Sequence, residues 1–315
     1  VRLPSILLRA GAWLRLGGRA RLPSPAAIAA NQRGLAARDA GELEAAAAGH
    51  EEACRLAPRW EAPWFNLGVI YKHSGRWREC ARACRRVLEI DPGSEGAAWN
   101  LGIASTALGD WPAAREAWRR AGLAVPDGEG PPALDLGPVP IRVDPRGEAE
   151  VVWCDRLDPA RARVRSVPLP ECGRRYGDLL LHDGAASGWR RLDGKEVPVF
   201  DELAVLQPSA YATFVVETEQ PTAEDSLALA EVFEARGLPA EDWTLQVRTL
   251  CRACSEGRPH AGGEEHAAAA AWQPRHRVGV AARSAADVRA ALAAWVAGGA
   301  GRRHGEIALG LPGAP

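Results

Sequence analysis

Between residues 27 and 126 the apolar side chains return every three to four positions, the spacing that gives a helix one buried face. The run is broken at Gly41, Gly75 and Gly109, and again at Pro58, Pro92 and Pro126. Each helix is therefore short, and each helical pair ends at a proline that cannot continue it. From residue 138 the period changes. Ile141–Val143, Glu150–Trp153, Val164–Val167, Asp178–His182, Trp189–Leu192 and Val197–Phe200 are strand-length runs between turn residues, with Asp193-Gly194 as a hairpin signal. Further on, two similar stretches beginning near Phe214 and Arg277 each hold a β run followed by a helix. Thr222 with Asp225, and Ser284 with Asp287, satisfy the free donors at the two helix starts. A strand-like run follows each helix, Trp243–Leu250 and Glu306–Leu309.

The helical part repeats itself every 34 residues. In the middle unit Trp64, Leu67, Gly68, Tyr71, Gly75, Trp77, Cys80, Cys84, Val87 and Pro92 alternate large, small and turn residues. One period later stand Leu101, Gly102, Gly109, Trp111, Ala114, Trp118, Ala121 and Pro126; one period earlier, Gly34, Gly41, Leu43, Ala46, Ala53 and Pro58. Small residues at Ala46, Cys80 and Ala114 keep each helical hairpin tight, and Cys54, Cys80 and Cys84 read as small buried hydrophobes. A single such unit cannot bury its apolar face, so three make a minimal stack that needs a cap.

Residue type and spacing in these three units resemble the tetratricopeptide repeat family. The resemblance implies units at about 27–60, 61–94 and 95–128 and a concave groove, lined by the first helix of each pair, that binds a protein or peptide. Asn31, Gln32, Asn66, Tyr71, Lys72, Asn100 and Ser105 are the groove residues it points to. A family variant that clamps a terminal carboxylate wants Lys, Asn, Lys and Arg where this chain, which keeps Asn66, has Asn31, Leu35, Gly96 and Asn100, so that variant is disfavoured.

Composition narrows the function classes. Lys plus Arg number 39 against 40 Asp plus Glu, which removes the positive field of a general nucleic-acid binder. Seven cysteines in a chain of 315 residues do not suit a secreted disulfide framework, so reduced thiols in a cytoplasm are expected. Val1, in a chain rich in Ala, Arg, Gly and Pro, reads as the alternative start codon of a GC-rich bacterial gene. Residues 1–26 interleave Ile6, Leu7, Leu8, Trp13, Leu14 and Leu16 with Arg2, Arg9, Arg15, Arg19 and Arg21. That pattern suits a basic amphipathic helix capping the first repeat better than one touching a membrane surface, and no run is long enough to span a membrane.

The Pro/Gly-rich text at 127–140 marks a linker. Residues 138–208 are expected to form a small antiparallel sheet or barrel of five or six strands. Residues 211–312, in the order βαββαβ, suggest a ferredoxin-like sandwich. Cys154 and His182 in the β segment have the composition of a nucleophile and its base, but neither has a flanking motif, and structural roles are the expectation. Asp155 beside Arg156 reads as a surface ion pair.

The strongest chemical signal lies in the loop at 251–276. Cys251, Cys254, His260 and His266 give C-x2-C-x5-H-x5-H, two thiolates and two imidazoles of the kind that enclose a structural zinc ion. Glu264, Glu265 and His276 are alternative ligands. The chain thus reads as an adaptor with a zinc loop. The competing reading is a metal-dependent enzyme, or a metal-handling or redox protein, whose repeats recruit the client.

Overall fold

The computed structural model describes residues 22–147, 149–192, 195–244 and 272–315. It divides into two compact units, residues 1–132 and 133–315.

The first unit is a stack of three helical hairpins: α1 (Pro25–Asp39) with α2 (Leu43–Leu56), α3 (Glu61–His73) with α4 (Trp77–Ile90), and α5 (Glu95–Ala107) with α6 (Trp111–Arg120). The glycines that break the sequence pattern do the bending. Gly41, Gly75 and Gly109 have φ of +82°, +69° and +69°, a region that L side chains avoid. A second set of glycines sets the spacing within each pair. A Cβ on Gly34, Gly68 or Gly102 would meet His50, Cys84 or Trp118, three residues that occupy one equivalent position of the second helix. The core of the stack gathers Leu67, Ile70, Tyr71, Cys80, Cys84, Val87 and Leu101.

Both ends of the stack depart from the repeat. Where the second and third units have Leu67 and Leu101, the first has Arg33, which pairs with Glu52 at 2.6 Å and faces solvent. Where the first two units bury Ala47 and Ala81, the third has Arg115. Its guanidinium donates to the Pro126 carbonyl at 2.9 Å and the Gly130 carbonyl at 2.6 Å, while Arg119 holds the Val125 carbonyl at 3.1 Å. The exit segment is thereby strapped onto the last helix, supplying the cap that the stack requires.

The second unit begins with a closed five-stranded barrel: β1 (Pro138–Val143), β2 (Glu150–Arg156), β3 (Arg161–Val164), β4 (Leu179–Leu192) and β5 (Lys195–Gln207). Successive strands pair antiparallel, and β1 closes on β5 in parallel. The runs expected at Asp178–His182 and Trp189–Leu192 are one strand. His182-Asp183-Gly184 has the composition of a turn, yet the chain passes through it with register shifts, and the Asp183 carboxylate accepts the Gly184 N–H at 2.7 Å. The Asp193-Gly194 signal lies outside the described residues; Leu192 and Lys195 on either side of it are paired.

A four-stranded antiparallel sheet follows, with β6 (Ala212–Glu219), β7 (Ala240–Asp242), β8 (Arg275–Ala282) and β9 (Arg303–Leu311) in the order β7-β8-β6-β9. Its helices, α7 (Ala223–Glu234) and α8 (Ala285–Ala297), share one core with Phe214, Val216, Val278 and Val280. Thr222 and Ser284 cap them as expected, Thr222 in a reciprocal capping box. The expected strand Trp243–Leu250 is corrected in its described part: β7 ends at Asp242, before Trp243. Trp243 instead crosses to the barrel, packs with Val167 and Ala281, and donates its indole N–H to the Val167 carbonyl at 2.9 Å. Against β6, β9 slips register twice, and each time the extra residue is on β9: Gly310 in one place, and between His304 and Ile307 in the other.

Candidate functional site

The first helices of the three pairs lie side by side. Asn66 on α3 donates its amide to Asn31 on α1 at 3.4 Å, and Asn31 also meets the His50 ring at 2.8 Å. Lys72 on α3 donates to Asn100 on α5 at 3.0 Å. Most of the groove residues read from sequence therefore sit in the seams between helices. Asn31, Asn66, Tyr71, Lys72, Asn100 and Ser105 are all buried, while Gln32 is exposed. Tyr71 donates its hydroxyl to Glu51, and burial together with that carboxylate pushes its ionisation above the ordinary phenol value. Burial, reinforced by Arg38, lowers His50 to about 4, so its ring is neutral in the stack at neutral pH.

What these helices leave partly open is apolar. Phe65 and Trp99 occupy one repeat position, Leu35 and Val69 another, and all four are half-buried. Phe65 and Val69 are four residues apart and share a face of α3. Phe65 reaches the next unit at Gly96, where a Cβ would lie 3.0 Å from its ring. The groove residues named from the sequence do not include these four, because half-open aromatics look like core in a sequence. The sequence does hold one signal, the recurrence of an aromatic 34 residues apart at Phe65 and Trp99, side chains that pack against the core with one edge and stay half-open on the other.

The barrel does not assemble the catalytic pair. Cys154 is fully buried, and desolvation, helped by Asp155 and Glu202, pushes its thiol well above the usual value, which leaves it unreactive. His182 is lowered to about 4 by burial and by Arg156; its Nδ1 meets the Asp183 carbonyl at 2.7 Å and its ring stacks on Phe200. Asp155 pairs at 3.6 Å with Arg165 and not with its neighbour, while Arg156 donates to the Pro159 carbonyl and lies over the Phe200 ring. Other charges are matched locally, Arg142 with Asp201 at 2.7 Å and Arg174 with Glu202 at 2.8 Å. Cys54, Cys80 and Cys84 are buried, as small core residues are.

Cys251, Cys254, His260 and His266, with Glu264 and Glu265, lie outside the described residues. Among the described residues no three His, Cys, Asp or Glu side chains are grouped to hold a metal ion. His276 is engaged at both nitrogens, Nδ1 with Asp242 at 2.6 Å and Nε2 with the Gln273 carbonyl at 2.6 Å, and so has no lone pair to give a metal. Among the described residues no helix is long and apolar enough to cross a membrane.

The family model for the tetratricopeptide repeat matches residues 62–94. Among solved structures, the Sgt2 TPR domain from Aspergillus fumigatus is similar at 26% identity over 33% of this chain and 70% of that one, with a TM-score of 0.30. The Arabidopsis OM64 TPR domain is similar at 20% identity over 30% of this chain and 79% of that one, TM-score 0.29. The second TPR of Spaghetti (RPAP3), bound to the HSP90 peptide SRMEEVD, is similar at 20% identity over 31% and 90%, TM-score 0.30. No curated protein matches the chain.

Proposed function

We propose that the tetratricopeptide repeats of this chain hold a protein or peptide partner on the face formed by α1, α3 and α5, and that the protein serves as an adaptor. The observation that carries this reading is the half-buried apolar patch of Leu35, Phe65, Val69 and Trp99, on a stack whose ends are occupied by Arg33 and by the Arg115 strap. Apolar side chains left partly open on a rigid scaffold mark a contact surface. Asn66, Lys72 and Asn100 act in this reading by fixing the three helices at one spacing, and Gln32 contributes at the edge. The test places a photo-crosslinking amino acid in the full chain at Gln32 or, on the second helices, at Arg82. The same partner should be captured from Gln32 and not from Arg82, and capture should fail in the Phe65→Ala, Trp99→Ala variant. Equal capture from both positions would overturn the reading.

Two further parts of the proposal concern the second unit. The order β7-β8-β6-β9 with both helices in one core supports reading its sheet as ferredoxin-like. The spacing of Cys251, Cys254, His260 and His266 supports a structural zinc ion, with a metal-dependent or redox activity as the competing role for the same residues.

A further inference from the structure

The first helices carry a charge pattern beside the apolar patch. Glu61, Phe65 and Val69 follow one another at four-residue spacing along α3, and Glu95, Trp99 and Ile103 do the same along α5. On α3 this stripe is half-open from acid to aromatic to aliphatic; on α5 it is open at Glu95 and half-open at Trp99, and ends in Ile103, which is fully buried. The acidic ends lie together: Ser94, the residue before α5, meets Glu61 at 3.5 Å. No basic side chain pairs with Glu61 or Glu95 among the described residues, whereas the basic residues near the other ends are engaged, Lys72 with Asn100 and Arg38 with Asp39. Partial burial and the neighbouring Asp91 raise the Glu61 carboxyl above its ordinary value, as expected for an acid without a cation.

An apolar floor with an uncompensated acidic margin is complementary to one kind of ligand. We infer that the face of α1, α3 and α5 takes an amphipathic segment of a partner protein, its apolar side chains on Leu35, Phe65, Val69 and Trp99 and a basic flank along Glu61 and Glu95. This rests on the reading of that face as the binding surface, and it specifies the chemistry of the partner. A basic flank restores the cation that the margin lacks. An acidic peptide would bring like charge to it at a cost that grows as water is excluded.

The test uses the full chain and fluorescein-labelled peptides read by anisotropy. One is an amphipathic peptide with a Leu/Trp stripe flanked by lysines; its twin has glutamates in their place; the third is the acidic SRMEEVD. The lysine peptide should bind about tenfold more tightly than its twin, a difference of about 1.4 kcal/mol. In Glu61→Gln, Glu95→Gln, which alters no core contact, that preference should fall to about twofold or less. Both binding curves should weaken about tenfold in Phe65→Ala, Trp99→Ala at unchanged helical circular dichroism. Tighter binding of either acidic peptide would overturn the basic-flank inference and leave the surface standing, provided the aromatic variant still loses it. Binding that survives the aromatic variant would overturn the surface itself, and absence of binding by all three would overturn both.

Discussion

The close approach of helices within each pair makes Gly102→Ala the sharpest stability test. A methyl group there would lie 2.5 Å from Cζ3 of Trp118 and 2.6 Å from Cε3 and Cη2, far inside van der Waals contact. The indole is fully buried and packed edge-on against Trp99 at a centroid distance of 5.3 Å, so it cannot swing aside. Replacing glycine by alanine in a helix normally gains about 1 kcal/mol. Overpacking a close-packed core costs roughly 1 to 3 kcal/mol, and a rigid ring puts this case at the upper end. The net expectation is a loss of about 1 to 2 kcal/mol. Gly68→Ala provides the internal control, because its methyl would approach a single atom, Sγ of Cys84, at 2.9 Å. Propensity and crowding then nearly cancel, within about 1 kcal/mol of wild type. The assay is urea unfolding of the full chain followed at 222 nm, with a Gly102→Ala, Trp118→Leu double variant to measure coupling. The double variant should be less destabilised than the sum of its single changes. Gly102→Ala as stable as wild type, or more stable than Gly68→Ala, would refute the argument that the ring sets the helix spacing.

Two other predictions follow from local chemistry. His50 is neutral when folded, with its ionisation lowered from 6.5 to about 4, so the unfolded chain binds the extra proton. The helical unit should hold its full His50 contribution above pH 6.5 and lose about 3 kcal/mol as pH falls towards 4. In His50→Cys, which installs the residue found at the equivalent Cys84, the acid slope of the helical transition should shrink; an unchanged slope would exclude His50 as its source. For the loop, elemental mass spectrometry on untagged protein should find about one zinc per chain, lost in Cys251→Ser, Cys254→Ser. Metal-free wild type that is folded and reduced would sink the zinc proposal.

The repeats were legible because each diagnostic residue answers to a local need that recurs at a fixed interval. Gly41, Gly75 and Gly109 must adopt positive φ, and Gly34, Gly68 and Gly102 must admit a neighbouring side chain. The barrel was legible as alternation but not in its strand limits. Asp183 and Gly184 carry turn chemistry, and only closure of the barrel on β5 decides that the strand continues through them. Trp243 reads as a strand residue because it is large and apolar, yet its indole is claimed by Val167, 76 residues away in sequence. The burial of the groove residues was illegible for the opposite reason. Polar residues such as Asn66 and Asn100 look like ligand contacts, but the seams between helices bury backbone and need side-chain partners of their own.

The two slips of β9 have a bearing on how the molecule behaves in company. Among the described residues β9 forms one edge of the sheet and the three-residue β7 the other; Leu309 on β9 is 59% exposed, and an edge strand offers its free amides and carbonyls to any extended chain that comes near. A regular edge of nine residues would be a template for stacking one molecule on the next. The extra residue at Gly310 and the one between His304 and Ile307 break the even spacing of those groups, so a visiting strand meets its matching donors and acceptors only over short stretches. The irregularity thus guards the rim of the sheet against runaway self-association.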